Sequence, residues 1–266
     1  MGRSAFIRRA AACAAAALTI LASGARPSAA ADVVVFTSAA PAVVEQVLAT
    51  AFTEATGNRV LFDVGTVREI QDKLSDSARP DIVVLPAAAL DVVDKASGLR
   101  PGSRIDLARV GIGVVVRAGA TLPDISSVDA LRQTLLAARS IAHPDPQGGG
   151  FAGAQIARMF ARLGIADAIK PKVSLAYAFT GGVAQVANGD AEIGLFNISE
   201  ILPVRGVTLV GPLVPELQSY ITFSAALHAG GAAPEPAAAG FLHTLSDPHA
   251  RDAWLTAGFE PIGGAH

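Results

Sequence analysis

Small polar residues and glycines follow four apolar segments, each at a point where a helical pattern begins. Thr37 and Ser38 follow the first segment, and Thr66 follows the second. The run Gln147–Gly150 follows a third, and Asn197 follows a fourth. Amides at a helix start, with hydroxyl donors beside them, hold a desolvated anion without a formal positive charge, because the helix dipole is positive there. These residue types therefore predict an anion-binding site.

Ordinary helix capping is the competing interpretation of the same residues. Ser, Thr and Gly are favoured at helix N-termini for structural reasons alone. At any one of the four places capping explains the residue better than binding does, whereas four such places in one chain point toward binding. Hydrogen bonds to a charged group contribute about 1.5–3 kcal/mol each, so about five or six of them offset the desolvation of an anion.

Two other motifs in the sequence relate to cofactor binding and to catalysis. Gly148, Gly150 and Gly153 satisfy G-x-G-x-x-G, but residues 144–146 separate them from the strand that a dinucleotide fingerprint requires. Ser38 and His143 leave open a secreted hydrolase, although the chain has no G-x-S-x-G elbow. The other histidines lack metal-ligand spacing, so the sequence predicts no metal and no cofactor.

The elements that must position these residues alternate between strand and helix. Predicted strands are Val33–Phe36, Val60–Val64, Asp81–Leu85, Val110–Val116, Ser140–His143, Ser174–Ala178, Glu192–Phe196 and Tyr220–Leu227. Predicted helices are Pro41–Thr56, Val67–Ser77, Ala88–Ala96, Val128–Ala138, Phe151–Leu163, Val183–Ala187, Pro236–Leu245 and His249–Ala257. This alternation predicts an α/β fold with a mostly parallel sheet, in which a ligand binds beyond the carboxyl ends of the strands.

The first 31 residues have the pattern of a secretory signal peptide. Three arginines, at positions 3, 8 and 9, precede an apolar run of 13 residues, Ala10–Ala22, which is shorter than the roughly 20 residues of a membrane span. Small residues then lead to a predicted cleavage site near Ala30 or Ala31. Cys13, the single cysteine, lies inside this segment, so the mature protein is predicted to have no disulfide.

Composition limits the partners of the mature chain. The full sequence has 21 Lys and Arg against 23 Asp and Glu. The signal segment holds four arginines and no acid, which leaves 17 basic and 23 acidic residues, a net charge of −6. A broad basic surface for nucleic acid is excluded, and global charge does not attract an anion to the protein.

The ordered motifs resemble those of the periplasmic molybdate-binding proteins and their relatives, the solute-binding proteins of ABC importers. The resemblance covers nearly all of residues 32–262. It is carried by these segments: FTSAAP, FTEATG, VGTVREIQDKL, RPDIVVLP, ARVGIGVVVRAG, DISSVDAL, SIAHPDPQGGGFAGAQIARMFARLGIADAIKPKV, VANGDAEIGLFNISEI and FLHTLSDPHARDAWLTAGFEPI.

The resemblance implies the type II periplasmic binding protein fold, with two Rossmann-like α/β lobes joined by a hinge. The first lobe would contain residues 32–109 and 220–266, and the second would contain residues 110–219. One ligand would be held in the cleft between them.

The resemblance also implies positions that contact the ligand. In the family these are a serine after the first strand, a serine after the second, backbone amides of a glycine-containing loop and of the second lobe, and a late tyrosine. By position in this sequence they correspond to Ser38 with Thr37 beside it, Thr66, the loop of Gly148, Gly149 and Gly150, Phe179, and Asn197.

Two departures from the family pattern bear on the ligand. The usual serine-serine-glycine of the second loop is Thr66-Val67-Arg68 here, and Asn197 replaces the tyrosine. Arg68 adds a planar guanidinium suited to a carboxylate, although a solvated helix-surface arginine explains it equally well. Both a molybdate-like oxyanion and a small organic carboxylate therefore remain open.

The hypothesis from sequence is an extracytoplasmic, periplasmic solute-binding protein that captures a small anion for an ABC transporter permease. It is expected to be a monomer, not an enzyme, with no cofactor and no nucleic-acid partner. The alternatives are a secreted hydrolase that uses Ser38 and His143, and a sensory ligand-binding module.

Overall fold

A computed structural model describes residues 30–147, 151–176 and 182–262 of the chain. Strands and helices alternate along this part of the sequence, which confirms the predicted α/β class. Most of the predicted signal segment, residues 1–29, lies outside the described residues. Gly148, Gly149, Gly150 and Phe179 lie outside them as well.

The element bounds are as follows. The strands are β1 (Asp32–Ser38), β2 (Arg59–Gly65), β3 (Ile82–Pro86), β4 (Ile105–Arg117), β5 (Ile141–Pro144), β6 (Val173–Ala176), β7 (Ile193–Asn197), β8 (Val207–Pro212), β9 (Tyr220–Leu227) and β10 (Glu260–Pro261). The α-helices are α1 (Ala39–Thr56), α2 (Val67–Ser75), α3 (Ala87–Ser97), α4 (Val128–Ala137), α5 (Phe151–Arg162), α6 (Ala166–Ile169), α7 (Gly182–Asn188), α8 (Ile198–Ile201), α9 (Glu235–Ser246) and α10 (Arg251–Thr256). No helix in the described ranges is both long enough and apolar enough to cross a membrane.

The described strands form one sheet in the order β2-β1-β3-β9-β4-β7-β5-β6, with β8 and β10 also paired to β4. β1 is parallel to β2 and β3, and β5 is parallel to β6 and β7. β4 and β9 run antiparallel to their neighbours. The prediction of a mostly parallel sheet is therefore wrong. The sheet is mixed because β4 and β9 carry the chain from one half of the sheet to the other and back without a crossover helix.

β4 joins the two halves of the sheet. Its residues 105–111 pair with β9, whereas its residues 112–117 pair with β7 or β8. At this change of partners Ile112 N–H donates to Gln218 Oε1 at 2.9 Å, and Gln218 Nε2 donates to the Ile112 carbonyl oxygen at 3.0 Å. Gly111 leaves room for this amide, since a Cβ there would lie 2.8 Å from Gln218 Nε2.

The predicted lobes, 32–109 with 220–266 and 110–219, stay a prediction. The change of partners along β4 supports the first boundary. The segment between β8 and β9, residues 213–219, returns the chain to the first half of the sheet and supports the second boundary.

Both faces of each half of the sheet are buried, which explains why its strands are nearly continuous apolar runs. On β3 the side chains of Ile82 and Val84 pack with α1, α9 and α10, and those of Val83 and Leu85 pack with α2 and α3 on the other face. The half that contains β5 and β7 has the same arrangement, with α4 and α5 on one face and α7 and α8 on the other.

Several element predictions differ from the structure, and the short helices α6 and α8 have no counterpart among the predicted elements. β4 begins at Ile105 rather than Val110, because Asp106 and Arg109 interrupt the apolar pattern on which the prediction relied. β8 and the two-residue β10 were not predicted. The single helix predicted over residues 249–257 is a short 3-10 turn, Pro248–Ala250, followed by α10.

A buried carboxyl lies beneath the end of β1. Thr37 Oγ1 donates to Glu45 Oε1 at 3.0 Å, and both side chains are fully buried. The other carboxyl oxygen, Oε2, has no hydrogen-bond partner among the described residues. Burial raises the pKa of Glu45 to about 8, and the hydrogen bond from Thr37 only partly opposes that rise. Glu45 is therefore a neutral acid at neutral pH.

We expect the substitution Glu45→Gln to change how stability depends on pH. A carboxyl with a higher pKa in the folded than in the unfolded chain costs stability as pH rises, because the folded protein keeps a proton that the unfolded chain releases. Glutamine resembles the protonated acid and keeps an acceptor for Thr37. Between pH 4.5 and 8, the wild type should lose on the order of 5 kcal/mol of unfolding free energy relative to Glu45→Gln.

Urea unfolding of both proteins at several pH values across this window measures the difference. Titration of all other groups is common to both proteins, so the difference between the two curves reports Glu45. Two parallel curves would contradict the prediction.

Candidate functional site

A cleft of about 450 Å³ lies where the carboxyl ends of strands from both halves of the sheet meet. The strand-end residues that line it are Ser38, Gly65 and Pro86 from the first half, and Pro144, Ala176 and Asn197 from the second. This is where a ligand binds in open α/β sheets.

The first residues of five helices, α1, α2, α5, α7 and α8, also line this cleft. The first amides of a helix have no acceptor within the helix, and the helix dipole makes the potential there positive. No Lys, Arg or His is among the described residues that line the cleft, and Glu200 is the single ionisable side chain among them. The cleft is thus built to receive negative charge on backbone amides rather than on basic side chains.

Ser38 lies at the start of α1 and lines the cleft, as its predicted role requires. Its side chain makes no capping bond to α1. The side chain is 6% exposed, and Ser38 Oγ has no hydrogen-bond partner among the described residues. Because leaving a buried hydroxyl unpaired costs about 1–3 kcal/mol, this donor is the strongest single candidate for a ligand contact.

Two predicted contacts are not placed in the cleft. The Thr37 side chain points away from it, to Glu45, because successive residues of a strand face opposite sides. Arg68 is exposed on the surface of α2 and is not among the residues that line the cleft. Arg68 is therefore an exposed arginine on a helix surface, the second of its two interpretations from the sequence.

Thr66 and Val67 line the cleft, but the hydroxyl of Thr66 is already used in capping α2. Thr66 Oγ1 accepts from Glu69 N–H at 3.2 Å, and the backbone N–H of Thr66 donates to Glu69 Oε2 at 2.7 Å. This backbone hydrogen bond is the main reason that the pKa of Glu69 lies below its ordinary value. The donors that this loop can still offer to a ligand are therefore backbone amides at the start of α2 rather than the hydroxyl of Thr66.

Asn197 and its neighbours on α8 form the polar wall of the second half. Asn197 lines the cleft, and its Nδ2 donates to Glu200 Oε1 at 2.7 Å. Asn197 Oδ1 and Ser199 Oγ are buried and have no hydrogen-bond partner among the described residues. Burial raises the pKa of Glu200, and the hydrogen bond from Asn197 opposes that rise. Glu200 was not predicted from the sequence. The available signal was its position three residues after a strand-end Asn, the spacing also seen in Thr66 and Glu69.

The predicted contacts Gly148, Gly149, Gly150 and Phe179 lie outside the described residues, but their neighbours line the cleft. These neighbours are Pro144, Phe151, Ala152, Ala176 and Gly182. The structure also gives Gly153 a packing role, since a Cβ there would lie 2.5 Å from the carbonyl oxygen of Pro144. Gly153 therefore lets the start of α5 approach the end of β5.

The described residues do not support the hydrolase alternative. His143 does not line the cleft; its Nδ1 lies 2.8 Å from the Pro144 carbonyl oxygen, and its ring packs edge-on against Phe160. Burial lowers the pKa of His143. In the described ranges no base is hydrogen-bonded to Ser38 Oγ, and no group of three His, Cys, Asp or Glu is placed to hold a metal ion. Nothing in these ranges favours the sensory alternative over transport.

Comparison with known proteins identifies the family of this chain. The sequence profile of the bacterial extracellular solute-binding proteins matches residues 17–260. An aconitate isomerase from a Pseudomonas species is 31% identical over 223 residues, which cover 81% of this chain and 82% of that protein.

Solved structures share the fold. The periplasmic molybdate-binding protein of Azotobacter vinelandii is 21% identical with a TM-score of 0.70, and the match covers 87% of this chain and 100% of that one. Peb3 of Campylobacter jejuni, solved with L-phospholactate bound, is 16% identical with a TM-score of 0.64, covering 86% of this chain and 99% of that one.

These likenesses confirm the resemblance to molybdate-binding proteins and the type II periplasmic binding protein fold. At identities of this size they establish the fold alone, whereas the profile match extends over most of the sequence. The chain belongs to the family of bacterial extracellular solute-binding proteins.

Proposed function

We propose that this protein captures a small organic anion with two or more carboxylates outside the cytoplasm and delivers it to the permease of an ABC importer. The observation that carries the proposal is the convergence of the starts of α1, α2, α5, α7 and α8 on one cleft whose described lining contains no basic side chain. Several separate helix starts suit a ligand whose charge is divided over several carboxylates.

The walls of the cleft favour an organic anion over a bare oxyanion. Its volume of about 450 Å³ lies within the range of small-molecule sites, about 300–1,000 Å³. Val43, Phe151, Ile221 and Phe223 add apolar surface to its lining. A carbon skeleton contacts such surface favourably, whereas molybdate has no apolar part to place against it.

The named relatives support the same class of ligand. Aconitate, the compound in the name of the Pseudomonas relative, is a tricarboxylate. The ligand in the Peb3 structure, L-phospholactate, is also an organic anion. We therefore favour a carboxylate over molybdate, the ligand in the name of the Azotobacter protein.

Capture requires export and closure of the cleft. We propose that the predicted signal peptide directs the protein to the periplasm and that the mature protein acts as a monomer without nucleic acid. Closure would move the two predicted lobes about β4 and the segment of residues 213–219. A ligand that contacts Ser38 on one side and the start of α8 on the other would favour the closed state, because only that state offers it both sets of contacts.

Thermal unfolding against a panel of anions tests the class of ligand. A true ligand at about 100 times its Kd adds about 2.7 kcal/mol of stability, which raises the Tm of a domain of this size by about 5–10 °C. We expect a shift of this size with at least one di- or tricarboxylate. We expect little or no shift with molybdate, tungstate, sulfate or phosphate.

Two results would contradict this assignment. A shift with molybdate alone would replace the carboxylate by an oxyanion and leave capture intact. No shift with any member of the panel would remove the anion-binding proposal altogether.

A pair of variants tests the placement of the ligand. Ser38→Ala removes a buried donor that lines the cleft and should weaken carboxylate binding by about 1–3 kcal/mol, or about 5- to 150-fold in Kd. Arg68→Ala removes an exposed charge outside the cleft lining and should change Kd by no more than about twofold. Isothermal titration calorimetry of both variants and the wild type gives the comparison. A larger effect from Arg68→Ala than from Ser38→Ala would place the anion on the α2 surface instead.

A second candidate function is isomerisation of an unsaturated polycarboxylate in the same cleft. The 31% identity to an aconitate isomerase, over most of both chains, favours it. Capture and isomerisation differ in turnover. Proton NMR follows a large excess of trans-aconitate mixed with a small amount of protein. Conversion of the excess into the cis isomer supports the enzyme. Stoichiometric binding without conversion supports capture alone.

A further inference from the structure

Two glutamates of this chain occupy the same local position with opposite surroundings. Glu69 and Glu200 each follow the polar N-cap residue of a helix, Thr66 or Asn197, by three positions. Glu69 turns back to its helix start and accepts the backbone N–H of Thr66 at 2.7 Å. Glu200 instead lines the cleft and accepts from the side chain of Asn197 at 2.7 Å. Helix capping accounts for Glu69. The hydrogen bond to Glu200 comes from the side chain of Asn197 and not from a backbone amide, so capping does not account for Glu200.

A carboxyl group in this cleft calls for a chemical explanation. The helix starts around it favour a negatively charged ligand, and a carboxylate beside such a ligand repels it. Among the described lining residues Glu200 is the single ionisable group, and it lies beside two buried hydroxyl and amide oxygens without partners, Ser199 Oγ and Asn197 Oδ1. A residue that serves anion binding alone would be a hydrogen-bond donor, and an ionised carboxylate has no proton to donate.

Proton transfer accounts for a carboxyl at this place, because a group that takes a proton from a bound ligand must lie against that ligand. Burial holds the pKa of Glu200 above its ordinary value, which brings its affinity for a proton closer to that needed for catalysis near neutral pH. The hydrogen bond from Asn197 fixes Oε1, which leaves Oε2 to exchange the proton.

We propose that Glu200 is the catalytic residue that moves a proton between two carbons of an unsaturated polycarboxylate bound in the cleft. This inference rests on the second candidate function. In the forward step Oε2 takes a proton from the methylene carbon next to the double bond. The C–H electron pair becomes a new C=C bond, and the pair of the old double bond takes a proton from Glu200 at the carbon two positions away; this proton is the one removed or one that the Glu200 carboxyl has exchanged with water.

This step is balanced without a further reactant. No atom is gained or lost, no electron leaves the substrate, and Glu200 ends in its starting state. The negative charge that develops in between would spread onto the substrate carboxylates, for which the cleft offers the starts of α1 and α2 and the hydroxyl of Ser38. Fixed donors of this kind stabilise developing charge without reorganisation.

The test uses the full mature chain with trans-aconitate in D₂O, followed by proton NMR. Two signals are measured: the appearance of the cis isomer, and the replacement of the methylene protons by deuterium. Glu200→Gln should reduce both rates by about 10²- to 10⁴-fold, the usual contribution of a general acid–base group. Its Kd for trans-aconitate should stay within about threefold or become tighter, since glutamine keeps the shape and removes the negative charge.

Two further variants make the comparison specific. Glu54→Gln removes an exposed carboxylate from α1, outside the cleft lining, and should leave both rates and Kd unchanged. Glu200→Asp keeps a carboxyl on a shorter side chain and should retain more exchange than Glu200→Gln, which a purely structural role would not produce.

The outcomes separate this inference from the functions on which it builds. A wild type that binds trans-aconitate but neither isomerises it nor exchanges its protons overturns the enzyme and the role of Glu200 together, and leaves capture in place. A wild type that turns over, with Glu200→Gln within about threefold of its rates, overturns the role of Glu200 alone. Loss of binding in both Glu200 variants makes Glu200 a binding residue and also overturns the proposal.

Discussion

The arrangement of this protein depends on one electrostatic constraint: the starts of several helices meet at the carboxyl ends of strands around one cleft. Each helix start brings amides without intrahelical acceptors, and together they create a positive region without a lysine or arginine in the described lining. A chain with a net negative charge thus has a place where the local potential favours an anion. The mixed sheet serves this geometry, because β4 and β9 let strands of both halves end at the same cleft.

The same side chain behaves differently according to which backbone groups reach it. Three glutamates lie near the ends of β1, β2 and β7. Glu69 receives a backbone amide and its pKa falls, whereas Glu45 is buried and Glu200 half-buried, each with a side-chain donor, and their pKa values rise. Burial without a backbone donor favours the neutral acid. The raised pKa of Glu45 makes the stability of the folded protein depend on pH. The raised pKa of Glu200 belongs to a side chain that lines the cleft.

Much of the fold could be predicted from the sequence, because apolar strands and polar strand ends produce patterns over a few consecutive residues. Ser38 and Asn197 were found in this way and line the cleft. Thr37 was assigned beside Ser38 because position along the chain does not tell which face of the strand a residue occupies. Arg68 was assigned to the ligand site because a guanidinium suits a carboxylate. The direction of its side chain depends on how α2 is rotated about its axis, which the sequence does not show.

Other features depend on contacts between distant segments, which local patterns do not record. Glu200 and Glu69 have the same spacing from the N-cap of a helix, and what distinguishes them is a side-chain hydrogen bond and the cleft itself. The start of β4 at Ile105 was missed because its charged residues face outward beside β9 and β10. A buried group such as Glu45 is likewise recognised only when the helix above it is in place.

The amide of Gln218 has a consequence for the junction of the sheet. It contacts both backbone polar groups of Ile112, and the Ile112 carbonyl also accepts the backbone N–H of Leu213 at 3.1 Å. Leu213 and Gln218 lie in the segment that returns the chain from β8 to β9, whereas Ile112 lies where β4 changes its partners. The two connections between the halves of the sheet are therefore fastened to each other at a single residue of β4.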